Sequence, residues 1–312
     1  MLRRTSLLAL TVLIATLAAL PAAAGARTSV AVGVADQQPL MFDQPAYRSL
    51  KLKKTRYFIP WDAAKNPAEL TKADTFVAGA RSAGVRVLLH ISTNNITSTH
   101  AHLPSTREYK TWVGKLVRRY KARGVKDWGV WNEANHRSQP TSKSPKRAAQ
   151  YFPIMRSLCR GCTIVALDVL DQKGVASYIS KFYRALSRTN RSRARLVGIH
   201  NYSDTNRRRS TGTARIISAV HKNNRRARFW LTETGGVVNF GRAFPCSQSR
   251  AASRLSFMFT LAKKFRKNVK RLYIYNWTGS GCNGFDAGLT KPDGSLRPGY
   301  TVVKRKLAGF TR

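Results

Sequence analysis

The sequence predicts an eight-stranded α/β barrel, and three observations carry that expectation. Short apolar runs recur eight times at the interval of one strand–helix unit. Several are almost continuous in Val, Ile, Leu and Tyr, as parallel strands covered on both faces require. The stretches between them carry helix start and stop signals. Eight parallel strands with crossover helices close most simply into a single (β/α)8 TIM barrel. An open doubly wound sheet is the other option, but its Gly-rich phosphate loop is missing after the first strand, where residues 30–38 read VAVGVADQQ.

The strand candidates, in order, are Thr28–Val34, Thr55–Pro60, Val85–Ser92, Asp127–Asn132, Thr163–Leu170, Leu196–Tyr202, Arg228–Thr232 and Arg271–Trp277. The first connection, Met41–Lys51, contains Pro45 and allows only a short helix. Asn66-Pro67 opens the next helix and Gly84 signals its end. Ser105 with Glu108 forms a capping box, and Gly124 ends a helix that sets Tyr109, Trp112, Val113, Leu116, Val117 and Tyr120 on one face. Ser144-Pro145 starts the fourth crossover helix, which Pro153 is expected to kink. Phe76, Phe182, Phe257 and Phe259 sit at helical spacings and are expected in the core.

Residues 1–26 read as a signal peptide. Arg3 and Arg4 precede an apolar stretch from Leu7 to Leu20, and Ala24-Gly25-Ala26 supplies a small-residue cleavage site. The apolar stretch is too short to span a bilayer core of about 30 Å, so no membrane-spanning segment is expected. Residues 27–312 then form one catalytic barrel, secreted or associated with the cell envelope. Four cysteines in an exported chain favour two disulfides, and the expected pairing is Cys159 with Cys162 and Cys246 with Cys282. The formal charge of +42 either marks contact with polyanions, such as an anionic cell-wall polymer, or simply reflects exposed faces decorated with cations. The basic residues are scattered rather than gathered with stacking aromatics, so no specific nucleic-acid partner is expected.

The residues following the leader include only four glutamates: Glu69, Glu108, Glu133 and Glu233. The first two belong to helix starts. The others end the fourth and seventh strand candidates, in the stretches WNEAN and LTETGG. The C-terminal ends of barrel strands share one face, so both carboxylates should look into the same cup. Glycoside cleavage needs such a pair, one to protonate the leaving oxygen and one to attack the anomeric carbon or activate water. Trp61, Trp131, Tyr202 and Trp277 offer ring faces for a sugar, and Arg56, His90, Asn132, His200 and Asn276 can hold hydroxyls. Asp168 and Asp171 either line the cleft or cap a helix. Asn94 and Asn95 read as loop residues at a suitable end. His100, His102 and His136 read as solvated polar side chains without metal-ligand spacing, and no cofactor is expected.

These residues resemble glycoside hydrolase clan A, the retaining barrel glycosidases that include cellulases, xylanases and xylosidases. Asn132-Glu133 is similar to the clan's acid/base motif on strand four, and Glu233 to its nucleophile on strand seven. His200-Asn201-Tyr202 is similar to the His-x-Tyr pair on strand six, and Arg56 stands where many members keep an arginine near the nucleophile. The resemblance places Trp277 on the floor of the −1 subsite. It implies hydrolysis of O-glycosidic bonds in a poly- or oligosaccharide by double displacement, with Glu133 as acid/base and Glu233 as nucleophile. Burial and the neighbouring anion should raise the Glu133 pKa, while the cationic surface should pull activity toward the acid side. A barrel that binds glycan or polyanion without cleaving it is the alternative.

Overall fold

The computed structural model describes residues 27–96 and 101–312. The leader assigned to residues 1–26 and His100 lie outside the described residues. Eight strand positions are filled in chain order: β1 Thr28–Ala35, β2 Lys54–Pro60, β3 Arg86–Ser92, β4 Asp127–Gly129, β5 in two segments (Thr163–Val165 and Leu167–Leu170), β6 Leu196–His200, β7 Arg228–Thr234 and β8 Val269–Tyr275. Every pair between them is parallel.

Closure runs through β5. Its first segment pairs with β4 and its second with β6, while β1 pairs with β2 on one side and β8 on the other. The sheet is a TIM barrel, as the sequence predicts. A short strand, Phe310–Thr311, adds to the start of β1. A separate ribbon pairs Asn239–Phe240 with Phe285–Asp286 beyond the ends of β7 and β8.

Ten α-helices surround the sheet: α1 Pro45–Ser49, α2 Pro67–Ser82, α3 Thr106–Ala122, α4 Pro145–Leu158, α5 Val175–Ala185, α6 Arg188–Arg193, α7 Tyr202–Asn206, α8 Thr211–His221, α9 Gln248–Lys264 and α10 Pro298–Lys306 among the described residues. The capping box at Ser105 and Glu108 is complete, and Asn66 caps α2 through its side chain. Pro153 lies inside α4, which continues to Leu158. Two apolar cores result. The large one lies between sheet and helices and includes Phe76 and Phe182; a smaller one fills the barrel with Leu88, Val165, Trp230 and Tyr273. Of the other two phenylalanines expected in the core, Phe259 is buried and Phe257 is half-buried.

At the N-terminal end of the strands, buried Asp127 accepts from Arg86 and Arg271, each at 2.6 Å. The Arg271 guanidinium also stacks over Trp230, 3.7 Å from the ring centroid. Burial, followed by repulsion from Arg271 and Arg86, lowers the Lys54 pKa there. Two disulfides join the expected partners, Cys159 with Cys162 and Cys246 with Cys282. No helix among the described residues is long and apolar enough to cross a membrane.

Candidate active site

β4 ends at Gly129 as a regular strand, three residues before the sequence-based limit, although the next backbone groups still bond to the neighbouring strands β5 and β3. Val130 N–H donates to Val165 O, and Asn132 N–H donates to Ile91 O at 2.7 Å. Glu133 then turns into the left-handed region, with φ of 43°. An L-residue with a long side chain pays about 1–3 kcal/mol there, a strain that concentrates at functional sites. Asp168 holds the turn on both sides: its Oδ1 accepts from Glu133 N–H at 3.1 Å, and its backbone carbonyl accepts from Ala134 N–H at 2.9 Å.

Glu233, on β7, is brought to the same cup. Its Oε2 accepts from Arg56 Nη1 at 2.6 Å and its Oε1 from the Tyr202 hydroxyl at 3.0 Å. Both oxygens are thus engaged as acceptors. Arg56 is buried and fully committed. Its Nε donates to His90 Nδ1 at 3.2 Å and its Nη2 to the Asn132 side-chain oxygen. One carboxylate oxygen each of Glu133 and Glu233, with a ring nitrogen of His200, lie within 4.8 Å of one another.

His200 ties the two carboxylates to a third. Its Nδ1 is 3.0 Å from Glu133 Oε1 and 3.8 Å from Glu233 Oε2, while its Nε2 pairs with Asp168 Oδ1 at 2.9 Å. Burial disfavours the imidazolium, but the charges of Asp168 and Glu233 outweigh it and push the His200 pKa up to about 10. Burial would raise Asp168, yet His200, His90 and Arg56 hold it well below the usual carboxylate range. Burial, together with the charges of Arg56 and His200, pushes His90 down to about 3 despite Asp168, so it stays neutral and accepts from Arg56.

The expected rise of the Glu133 pKa is corrected by this network. Burial does act upward, but the hydrogen bond and charge of His200, helped by His136, more than offset it and leave the carboxyl below its ordinary value. At rest the proton of the pair sits on His200. Burial first, and the Glu233 charge second, keep the Tyr202 phenol far above its ordinary pKa, so it remains a donor.

Other expectations divide. His90, Asn132 and Arg56 form a layer behind the carboxylates rather than a free hydrogen-bonding rim. Trp277 does not floor the cup. It is fully buried, packed edge-on against Tyr47 and Tyr300, with its indole N–H donating to Gln44 at 2.8 Å. Trp61 and Trp131 are likewise buried and offer no sugar-facing surface. Asn276 turns its side-chain amide to Thr278 O at 2.5 Å. Asn94 donates to Asp62 at 3.2 Å beside a hollow of about 430 Å3 at the ends of β2 and β3. Asp171 caps α7, accepting from Ser203 and Asp204 N–H groups, and burial pushes its pKa up to about 7.

Asp168 is the residue that sequence reasoning left undecided, and two glycines could have signalled its place. A Cβ on Gly198 would lie 2.0 Å from Asp168 Oδ2, and one on Gly129 1.9 Å from the His90 ring. Glycine inside a strand marks such close approaches. Glu133, His200 and Glu233 also have the composition of a metal-ligand set. A divalent cation there would have to displace the His200 proton and share Glu233 with Arg56.

No family model matches the sequence, and no curated protein matches it. Solved structures do. A family 39 glycoside hydrolase from Bacteroides cellulosilyticus WH2 aligns with TM-score 0.59 and 14% identity over 90% of this chain, which spans 64% of that one. A GH39 enzyme from Xanthomonas axonopodis pv. citri aligns with TM-score 0.64 and 13% identity, over 90% of this chain and 67% of that one. Xylanase B from Clostridium stercorarium F9 gives TM-score 0.61 and 13% identity, over 88% of this chain and 96% of that one. At such identities the likeness is one of fold. It agrees with the barrel read from the strand topology.

Proposed function

We propose that this chain is a glycoside hydrolase that cleaves O-glycosidic bonds with retention, Glu233 serving as nucleophile and Glu133 as acid/base. The observation that carries the proposal is that an oxygen of Glu133 and an oxygen of Glu233 lie within 4.8 Å of one another, close enough to flank one glycosidic bond. Retaining enzymes hold their carboxyl groups about 5–5.5 Å apart, whereas inverting enzymes leave about 6.5–9.5 Å for a water. The fold neighbours are glycoside hydrolases, and two-carboxylate chemistry on this barrel face is consistent with theirs.

The surroundings suit the chemistry. Asp168, Glu133 and Glu233 face the cations Arg56 and His200, so the cup carries a net negative charge where an oxocarbenium-like centre would form. Arg56 and Tyr202 orient Glu233 toward the anomeric carbon. His200 first passes its proton to Glu133 across their 3.0 Å contact, and Glu133 then delivers it to the leaving oxygen, which leaves Glu133 ionised and His200 neutral. After the glycosyl-enzyme forms, Glu133 accepts a proton from the attacking water. In this reading residues 27–312 are one catalytic barrel and residues 1–26 an export signal, a compartment that the two disulfides favour. The cationic surface would hold the enzyme on an anionic polymer, an affinity that should fall steeply with salt.

Azide rescue tests the roles. Glu133→Ala should lose about 10²–10⁴-fold in turnover of an unactivated substrate. With an activated aryl glycoside and azide it should recover and yield a β-glycosyl azide. From a β-glycoside, an α-azide would mean either that Glu133 is itself the nucleophile or that the enzyme inverts. Unchanged turnover in both Glu133→Ala and Glu233→Ala would remove the pair from catalysis.

A further inference from the structure

Large apolar side chains are exposed at few places on the described surface, and two of them meet at the rim of the cup. Phe240 is 53% exposed and Phe285 38%. They stand opposite one another in the antiparallel ribbon, ring centroids 5.7 Å apart. Residues directly opposite in such a pair project on the same face. Phe285 continues the patch inward: its ring lies 5.3 Å from Tyr202, whose hydroxyl holds Glu233, and 6.2 Å from Tyr275.

The ribbon is also braced. The Cys246–Cys282 disulfide ties its two loops together. Asp286, beside Phe285, is buried and accepts both terminal nitrogens of buried Arg297, at 2.7 and 2.8 Å, as well as the Cys282 and Gly288 N–H groups. Asn239, beside Phe240, donates to Gly284 O at 2.7 Å. Fixing two aromatic rings toward water on so rigid a support gains nothing for folding, because their apolar faces stay wet.

Resting on the glycosidase function proposed above, we infer that Phe240 and Phe285 form a stacking subsite for a further sugar unit of the chain whose bond lies between Glu133 and Glu233. One face of a pyranose carries mainly C–H groups, and it packs on an aromatic ring with loss of apolar area to water. Trp277 cannot supply such a face, being buried, and the ribbon takes that role for a unit beyond the two that flank the reacting bond. The subsite adds affinity for longer chains and leaves the reacting sugar untouched.

Titration calorimetry of Glu233→Gln, which does not turn over, tests this with disaccharides and hexasaccharides of the xylo-, cello- and manno- series. The best-bound hexasaccharide should weaken at least tenfold when Phe240→Ala and Phe285→Ala are added. Its disaccharide should change less than twofold, and Phe285→Trp should restore the hexasaccharide affinity. Equal losses at both lengths, or no loss at the longer one, overturn the subsite alone. If no oligosaccharide of these series binds Glu233→Gln with the phenylalanines intact, the subsite falls, while the glycosidase function stands or falls separately on turnover of an aryl glycoside by the native chain and its loss in Glu233→Ala. Unfolding temperatures of the variants separate lost stacking from a collapsed ribbon.

Discussion

The two ends of the barrel bury the same kinds of groups in opposite proportions. At the N-terminal end of the strands, Asp127 faces Arg86, Arg271 and Lys54, and its two ion pairs are each 2.6 Å long. At the C-terminal end, Glu133, Glu233 and Asp168 face Arg56 and His200. The first arrangement saturates a carboxylate and locks strands β3, β4 and β8 together. The second leaves negative charge in excess, with one carboxylate partly open to solvent on a strained turn. Stability needs the former; stabilising a developing cation needs the latter.

The sharpest way to break that comparison is to remove one carboxylate from each end. Glu233→Gln should cost about 10⁴-fold or more in kcat, the scale at which essential nucleophiles fail, while the folded state persists by circular dichroism. Asp127→Asn should do the reverse. Removing the charge of buried Asp127 from half-buried Arg271 should cost at most about 3–5 kcal/mol, the scale of a broken buried pair, read as a fall in denaturation midpoint. At a temperature well below that midpoint, kcat should stay within twofold. A large kcat loss in Asp127→Asn would mean that the two ends are not independent.

Asp168→Asn comes next. Asp168 is the leading charge that keeps a proton on His200 up to about pH 10. The His200–Glu133 pair therefore retains its proton through neutral pH, and the alkaline limb of kcat/KM should lie well above neutrality rather than on the acid side. Without Asp168 that limb should move down by at least one pH unit, an effect Asp127→Asn should not reproduce. The same shift bears on stability. The His200 pKa is raised in the folded state, so its contribution is fully present below about 6.5, the ordinary value, and is lost as pH rises through about 10. Asp171 behaves alike at lower pH. Its pKa is raised to about 7, so the stability linked to its protonated form falls as pH climbs from about 4 to about 7. Asp171→Asn should flatten the stability profile in that window, measured by chemical denaturation at several pH values.

How much of this was legible in the sequence follows from what each feature depends on. The eight strands, the helix caps and the positions of Glu133 and Glu233 are local patterns, and local patterns survive in a single sequence. Both disulfide partnerships were also anticipated. The environment of Glu133 was not, because it depends on Asp168 and His200, which lie on two other strands. Trp277 misled for a related reason. A strand-end indole faces either the cup or the helices, and the partners that decide, Tyr47 and Tyr300, lie at opposite ends of the chain. Phe240 and Phe285 were unreadable because a hydrophobic residue in a loop gives no sign of whether it is covered.

The smallest predicted effect isolates the strained turn. Glu133→Ala and Glu133→Gly both delete the carboxylate and its contact with His200, so they share the electrostatic consequences. They differ only in what the backbone tolerates at φ of 43°. Alanine keeps the steric penalty of the left-handed region, while glycine adopts it freely. Glycine also loses more chain entropy on folding, by up to about 1 kcal/mol, so the two effects partly cancel. If the strain at this turn exceeds that loss, Glu133→Gly should be the more stable by about 1 kcal/mol, close to 2 °C in Tm for a barrel of this size. The equivalent pair at Asp127, in regular strand backbone, should order the other way, with alanine the more stable. A matching order at both ends would show that the C-terminal turn stores less strain than glycine loses in chain entropy, about 1 kcal/mol.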